Sequence, residues 1–186
     1  MKINQQQLLG MTKTHTFASL AATLMGAVIL PFSSAGFLKP FLSLVFVLIY
    51  AILIYNKGID TARQDKLYDK EKKPFLLKGL FLPIGIYIIW LFLFVLYKLS
   101  WHYNIVSYIS GFINNLLFLI WNYPFFGFLN AVNGDISILG VILFFAVSLA
   151  ASCGGYIAGI KGFDISAKVS KMVYEEKEES NGEGKK

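Results

Sequence analysis

The amino-acid sequence predicts an all-α, polytopic helical membrane protein, with four transmembrane helices arranged as two hairpins plus one interfacial or re-entrant helix. Three observations predict this class. Hydrophobic residues make up 56% of the 186 residues and charged residues only 15%, whereas an ordinary soluble domain is about 25% charged. The charged residues bracket long uncharged runs, and crossing a hydrocarbon core takes roughly 20 apolar residues. A short sequence at one predicted helix exit also recurs near the C-terminus.

The first apolar segment covers residues 17–32 and follows a polar segment, residues 1–16, which is predicted to be cytoplasmic. It is interpreted as an uncleaved membrane helix. The alternative is a signal peptide cleaved after Ala35, because a small-residue site follows an apolar run that Pro31 interrupts.

The second predicted span is residues 40–55, so that residues 17–55 form the first hairpin. The following segment, residues 56–78, carries seven Lys and Arg residues. It is predicted to be a basic cytoplasmic loop, because Lys and Arg are enriched on the cytoplasmic side of membranes. A charged cluster in this loop is predicted to be a solvated helix face. Its members are Asp60, Arg63, Asp65 and Asp69.

The second hairpin is predicted over residues 79–160. Its first helix, at about 75–97, is expected to kink near Pro83, since a proline removes one backbone hydrogen bond from a helix. Its second helix, at about 136–160, follows the turn signal at residues 133–135.

The segment between these two helices, residues 99–134, contains no Asp, Glu, Lys or Arg. It fits a fifth span, a re-entrant helix, or an interfacial helix whose Asn114 and Asn115 amides face water. A helix here is expected to end at Asn122-Tyr123-Pro124. Several aromatic residues suit the headgroup level of a bilayer. They are Trp101, Tyr103, Trp121 and Tyr123.

The repeated sequence is Lys-Gly-x-Asp, at the predicted exits of the second and fourth spans. The copies comprise Lys57, Gly58 and Asp60, and Lys161, Gly162 and Asp164. These six residues are the candidate cytoplasmic contact, for a protein partner or an anionic lipid; the alternative is an ordinary helix exit with lysine anchors and a glycine bend. If both exits face one side, an even number of crossings separates them, and residues 99–134 do not span.

Charge favours the same topology. The tail, residues 161–186, is basic near its start, like the loop, whereas the opposite side holds only Lys39 and Lys98. Both termini are therefore predicted to be cytoplasmic in a multi-pass protein of the cell membrane. The tail is expected to be disordered from about residue 175, because its composition is charged and lacks apolar residues.

Small residues recur every four positions in two segments, which is typical of packed membrane helices. The candidate packing residues are Ala18, Ala22 and Gly26, and Gly155 and Gly159. The two stripes are expected to pack against each other within the monomer. The alternative for the second stripe is a dimer interface, so a homo-oligomer stays open.

No catalytic motif is present, and the two histidines, His15 and His102, lie in different segments. Catalysis, a metal and a cofactor are therefore not expected, and membrane lipid rather than nucleic acid is the expected contact of the basic residues. The sequence favours a small non-catalytic membrane subunit or scaffold that contacts a partner or anionic lipid through its cytoplasmic loop and tail. The alternative is a small transporter or channel component that uses the asparagine-bearing segment 104–122.

Overall fold

The computed structural model describes residues 5–29, 38–68, 77–102, 108–129 and 135–162. Within these ranges the chain is helical and contains no strand, which confirms the all-α prediction for them. The elements are α1 (Gln5–Ile29), α2 (Leu38–Tyr68), α3 (Lys78–Phe81), α4 (Ile84–His102), α5 (Tyr108–Trp121), a 3₁₀ turn (Tyr123–Phe125), α6 (Phe126–Leu129) and α7 (Ile138–Lys161).

Helices α2 and α7 form the central pair of the bundle and run parallel. Tyr50 hydrogen-bonds Ser148, and about three turns further along both helices Ile59 lies against Gly159. The C-terminal ends of α2 and α7 therefore lie at the same end of the bundle, named here the Asp65 end. This places Lys57 and Gly58 at the same end as Lys161 and Gly162.

Helices α1 and α4 run antiparallel to the central pair. In α1, Gln7 reaches Asp65 near the end of α2, whereas His15 meets Tyr50 half-way along it. In α4, the order is likewise reversed relative to α7, and Lys98 at its C-terminal end lies 3.8 Å from Asp135. That opposite end of the bundle is named the Asp135 end.

Helices α5 and α6 form a hairpin that penetrates the bundle only part-way, named here the half-depth hairpin (residues 108–129). Asn114 of α5 bonds Ser100 near the Asp135 end, and the hairpin turns beside Trp90. After a bend of 77°, Leu129 accepts a hydrogen bond from Ser137, back at the Asp135 end. The segment therefore starts and finishes near one end of the bundle, and its two limbs form either one broken span or a re-entrant segment.

The helical segments long and apolar enough to cross a membrane are Phe41–Leu67, Lys78–Ser100 and Ile138–Lys161. The hairpin makes a fourth if its two limbs count as one span. The described residues thus hold three or four candidate spans. Helix α1 has 25 residues and is about 37 Å long at 1.5 Å per residue, which is long enough to cross. It is not one of these segments, because its first half is rich in Gln and Thr and is therefore not apolar enough.

Two helix boundaries differ from those expected. Helix α1 begins at Gln5 rather than at residue 17, so residues 5–16 pack in the bundle. Helix α2 continues thirteen residues past Tyr55, from which the second span was expected to exit. In both cases the polar residues remain helical because part of each turn is buried against a neighbouring helix, as Gln7 and Thr61 are. The break at Pro83, between α3 and α4, and the end of α5 before Asn122 agree with the sequence.

Candidate functional site

The Asp65 end is held together by one carboxylate. Lys78 donates to both oxygens of Asp65, at 2.9 and 2.8 Å, and Gln7 and Tyr156 each donate to it at 2.7 Å. The side chains of Lys78 and Asp65 are only 10% and 17% exposed. Four elements, α1, α2, α3 and α7, therefore converge on Asp65, whose expected place on a solvated face is wrong.

Asp60 and Arg63, from the same sequence cluster, do lie in solvent. Their side chains are 55% and 44% exposed and form a loose ion pair of 3.8 Å. The difference follows from helical period, since Asp65 continues the buried face of α2 marked by Ile54 and Ala62, whereas Asp60 and Arg63 lie on the opposite face. Asp69 lies outside the described residues.

Glycines let α2 and α7 approach closely at the Asp65 end. A Cβ atom on Gly58 would lie 2.8 Å from the carbonyl oxygen of Ser152, and one on Gly155 would collide with the carbonyl oxygen of Tyr55. A Cβ on Gly159 would lie 2.7 Å from that of Ala62. The helices therefore meet backbone to backbone, an arrangement typical of small-residue crossings in membranes.

The two Lys-Gly-x-Asp sequences adopt different structures despite lying at the same end. Gly58 is buried inside α2, with half-buried Lys57 before it and exposed Asp60 after it. Gly162 instead ends α7 in the left-handed conformation, with φ of 73° and its N–H bonded to the last turn. Lys161 is exposed beside it, and Asp164 lies outside the described residues. A shared sequence therefore serves a helix crossing in one copy and a C-cap in the other.

The two small-residue stripes do not pair in the expected way. Gly155 and Gly159 lie against α2, as described above, and not against the stripe of α1. Ala18 and Ala22 are buried, and Gly26 lies against the phenol ring of Tyr123 in the half-depth hairpin. The stripe of α1 therefore makes room for the hairpin.

A chain of buried polar groups crosses the middle of the bundle. His15 Nδ1 lies 3.1 Å from Tyr50 OH, which lies 2.9 Å from Ser148 Oγ. On its other side, His15 Nε2 lies 3.4 Å from Ser19 Oγ, which donates to the carbonyl of Trp121. Side chains of α1, α2 and α7 are thus linked to the last residue of α5, and His15, Ser19, Tyr50 and Ser148 are each at most 1% exposed.

The donor roles along part of this chain follow from counting hydroxyl protons. Ser148 donates its proton to the carbonyl of Phe144 at 2.6 Å, so Tyr50 donates to Ser148. The Nδ1–H of His15 then donates to Tyr50. Each proton of this branch has an acceptor, which matters because an unpaired polar group away from water is costly.

The tip of the half-depth hairpin is fixed by side-chain hydrogen bonds. Asn122 is 1% exposed; its Oδ1 accepts from Trp90 Nε1 at 2.9 Å, and its Nδ2 donates to the carbonyl of Phe118. On the other limb, Ser43 of α2 donates to the carbonyl of Pro124. The backbone groups freed by the break are therefore paired inside the protein, as irregular backbone at membrane depth requires.

The described asparagines and aromatic rings of the hairpin make contacts inside the bundle. Asn114 donates a hydrogen bond to Ser100 of α4. Asn115 is partly buried, and its Oδ1 accepts no hydrogen bond from the described residues. Trp121 packs against His15 with ring centroids 4.3 Å apart, and Tyr123 lies against Phe46. The side chain of Trp101, and Tyr103, lie outside the described residues.

No protein family, curated protein or solved structure matches this chain. Its role must therefore be inferred from its own residues.

One further feature lies on the outward face of α1. Lys13 is exposed, and it lies between Gly10, which contacts the side chain of Lys57, and His15, which contacts Tyr50. At comparable depth most exposed residues of the other long helices are apolar, and Asn56 of α2 is an exposed polar residue. The apolar ones include Leu48, Ile49 and Ile52 of α2, Ile88, Leu91 and Phe92 of α4, and Leu149 of α7.

Sequence reasoning missed the Asp65 cluster and Lys13 for the same reason. Both required knowing that the helices continue through polar sequence, namely α2 beyond Tyr55 and α1 before Phe17. A signal was present: the positions Ile54, Ala62 and Asp65 repeat with helical period through the predicted loop.

Proposed function

We propose that this protein is a small, non-catalytic subunit or scaffold of the cell membrane, which contacts a partner protein or anionic lipid through its cytoplasmic loop and tail. The proposed topology has four crossings, by α1, α2, α3–α4 and α7, with both termini in the cytoplasm. The half-depth hairpin then opens toward the outer side.

The alternating directions of the helices support this topology. Helix α1 is antiparallel to α2, α4 is antiparallel to α7, and the hairpin returns to the end from which it starts. Under this topology the basic residues at the Asp65 end, including Lys57, Arg63 and Lys161, lie in the cytoplasm, where positive charge is favoured.

The observation that carries the subunit proposal is Lys13. It is exposed on the outside of the bundle and has no ion-pair partner among the residues that the structure describes. A lysine at the centre of a bilayer costs about 2.5–3.5 kcal/mol, and less toward the interface. Lys13 is three residues further in than Gly10, which lies against the Lys57 side chain, so its cost is below that figure, and ionised side chains in membranes are usually paired. A neighbouring membrane helix that carries a carboxylate would offset this cost and would cover the polar half of α1.

The Asp65 end supplies the second part of the contact. Its exposed residues include Asp60, Arg63, Gln64, Lys66 and Lys161. They project from helices that the glycine crossing and Asp65 hold together, so the backbone of this surface is already positioned before a partner binds.

The test is site-specific photo-cross-linking in native membranes. A cross-linker at Leu9 or Phe17, which are 58% and 66% exposed on the face of Lys13, should give a discrete protein adduct. The same cross-linker at Leu91 of α4, 58% exposed, should give none. Lys13→Met should abolish the adduct if a carboxylate partner is bound; an unchanged pattern would mean that Lys13 reaches the headgroups alone.

The cytoplasmic part is tested separately, with Lys57→Gln, Asp60→Asn and Lys161→Gln combined. Capture of the cross-linked partner should fall while membrane insertion is unchanged. If partner capture persists but binding to anionic vesicles falls and is weakened by salt, the contact is to lipid rather than protein.

The half-depth hairpin favours a second candidate function, a transporter or channel component. Broken helices whose ends meet near the midplane form the binding sites of many transporters, and here the break at Asn122 meets polar side chains of α1 and α2. The test is the swelling of proteoliposomes in small polar solutes. Swelling that Asn114→Leu and Asn115→Leu prevent, while the amount of folded protein is unchanged, would support this function. Swelling that both variants retain would argue against a path along α5.

A further inference from the structure

A cleft of 410 Å³ opens between α4 and α7 at the Asp135 end. Its walls are mostly apolar, and two charged side chains line it near the end of the bundle. The lining residues are Trp90, Phe94, Ile136, Ile138, Val141 and Ile142, with Lys98 and Asp135.

The polarity of the cleft is graded along its length. Trp90 and Lys98 are eight residues apart on α4, which corresponds to about 12 Å along the helix. Trp90 lies at the level of the hairpin tip, whereas Lys98 and Asp135 lie at the end of the bundle. An elongated occupant must therefore be apolar at one end and charged at the other.

The charged end is built for a group that carries both signs. Lys98 and Asp135 approach to 3.8 Å, whereas the enclosed pair of Lys78 and Asp65 is at 2.8 Å. The side chain of Asp135 is 97% exposed, so its carboxylate oxygens are accessible to a further donor. An anion alone would meet Lys98 but would be repelled by Asp135.

We propose that this cleft binds one ethanolamine phospholipid. The phosphate accepts a charge-assisted hydrogen bond from Lys98, the primary ammonium donates to Asp135, and one acyl chain lies along Trp90, Phe94 and Ile142. A choline headgroup cannot donate this hydrogen bond, because its nitrogen carries no hydrogen, and a glycerol headgroup carries no cation for Asp135.

This inference rests on the proposed insertion of the bundle in a bilayer, with the Asp135 end at the headgroup level. It does not depend on a protein partner. A failed cross-link at α1 would therefore leave the lipid proposal standing, and failed lipid binding would leave the partner proposal standing.

The test is native mass spectrometry of the full chain, released from nanodiscs that contain equal amounts of phosphatidylethanolamine, phosphatidylcholine and phosphatidylglycerol with identical acyl chains. The chain should retain one phosphatidylethanolamine in preference to either other lipid by roughly fivefold, the ratio expected of one additional ion-pair contact. Asp135→Asn should remove the preference over phosphatidylglycerol, and Lys98→Gln should weaken retention of all three phospholipids, because each carries a phosphate.

Ile142→Trp tests the cleft itself. Ile142 is 57% exposed, so a larger side chain there fills the cleft without entering the core, and the bound lipid should be lost. Ile52→Trp, on the outward face of α2 and 59% exposed, is the matched control, because it adds the same bulk away from the cleft, and it should leave retention unchanged. Equal retention of the three lipids, or retention that Ile142→Trp does not alter, would overturn the proposal and would indicate ordinary annular lipid.

Discussion

Lys78 closes onto Asp65 across the connection between α2 and α3, donating to both carboxylate oxygens at 2.9 and 2.8 Å. The same carboxylate accepts from Gln7 of α1 and Tyr156 of α7. One acidic side chain thus ties together α1, α2, α3 and α7, and it sets the geometry of the end that carries the proposed partner contact.

The first prediction concerns this ion pair. Lys78→Met should leave Asp65 enclosed without its cation and should destabilise the folded protein by about 3 kcal/mol. The measurement is the thermal unfolding midpoint in a mild detergent. Arg63→Gln is the control, because its pair with Asp60 is exposed and 3.8 Å long and should contribute less than about 1 kcal/mol. The double variant Lys78→Met, Asp65→Leu should recover part of the loss; equal effects of Lys78→Met and Arg63→Gln would contradict the enclosed pair.

The second prediction concerns the crossing of α2 and α7. Gly155→Ala should separate the two helices, because its Cβ would collide with the carbonyl oxygen of Tyr55, and overpacking of this kind costs about 1–3 kcal/mol or more. Gly154→Ala is an adjacent control on the same helix. Its Cβ would meet only side-chain atoms of Tyr55 at 3.8 and 3.9 Å, and a helical glycine replaced by alanine gains up to about 1 kcal/mol. Thermal unfolding of the two variants should therefore shift in opposite directions, and a shift in the same direction would argue against the close crossing.

These two features show what the sequence could and could not predict. The bounds of α7, expected at residues 136–160 and found at Ile138–Lys161, could be predicted because a charge-free apolar run of this length is typical of a membrane span and is bounded by polar residues. The helix breaks at Pro83 and before Pro124 could be predicted from the sequence, because proline cannot donate a backbone hydrogen bond. Local chemistry therefore determined these boundaries.

The contacts of polar residues could not be predicted from the sequence in the same way. In the sequence, Asp65 and Lys78 lie in the predicted loop of residues 56–78. Their pairing depends on tertiary structure, because it requires α2 to continue beyond Tyr55. The first half of α1 looks like a polar extension for the same reason. This half is helical in the bundle, where Gln7 donates to Asp65 and His15 lies against Tyr50, and the hydroxyls of Thr12, Thr14 and Thr16 donate to carbonyl oxygens one turn earlier in α1 itself.

The third prediction concerns the polar chain in the middle of the bundle. Tyr50→Phe removes the hydroxyl that joins His15 to Ser148, leaving a buried ring nitrogen without its partner, and should cost about 1–3 kcal/mol. Tyr55→Phe, five residues further along α2 and half-buried, is the control and should change stability by less than about 0.5 kcal/mol. Unfolding in increasing denaturing detergent gives both values. A Tyr50→Phe protein as stable as the unaltered chain would mean that the hydroxyl contributes little to the bundle.

The last prediction concerns topology, on which both the partner contact and the lipid cleft depend. In a Cys153→Ala background, single cysteines at Asp60 and Lys161 should react with a membrane-impermeant maleimide only from the cytoplasmic side, because parallel α2 and α7 place both at the Asp65 end. A cysteine at Asp135, whose side chain is 97% exposed, should react only from the outer side. A cysteine at Leu91 on the apolar face of α4 should react from neither side. If the half-depth hairpin crossed the bilayer completely, positions 60 and 161 would label from opposite sides, and that result would exclude the four-crossing arrangement.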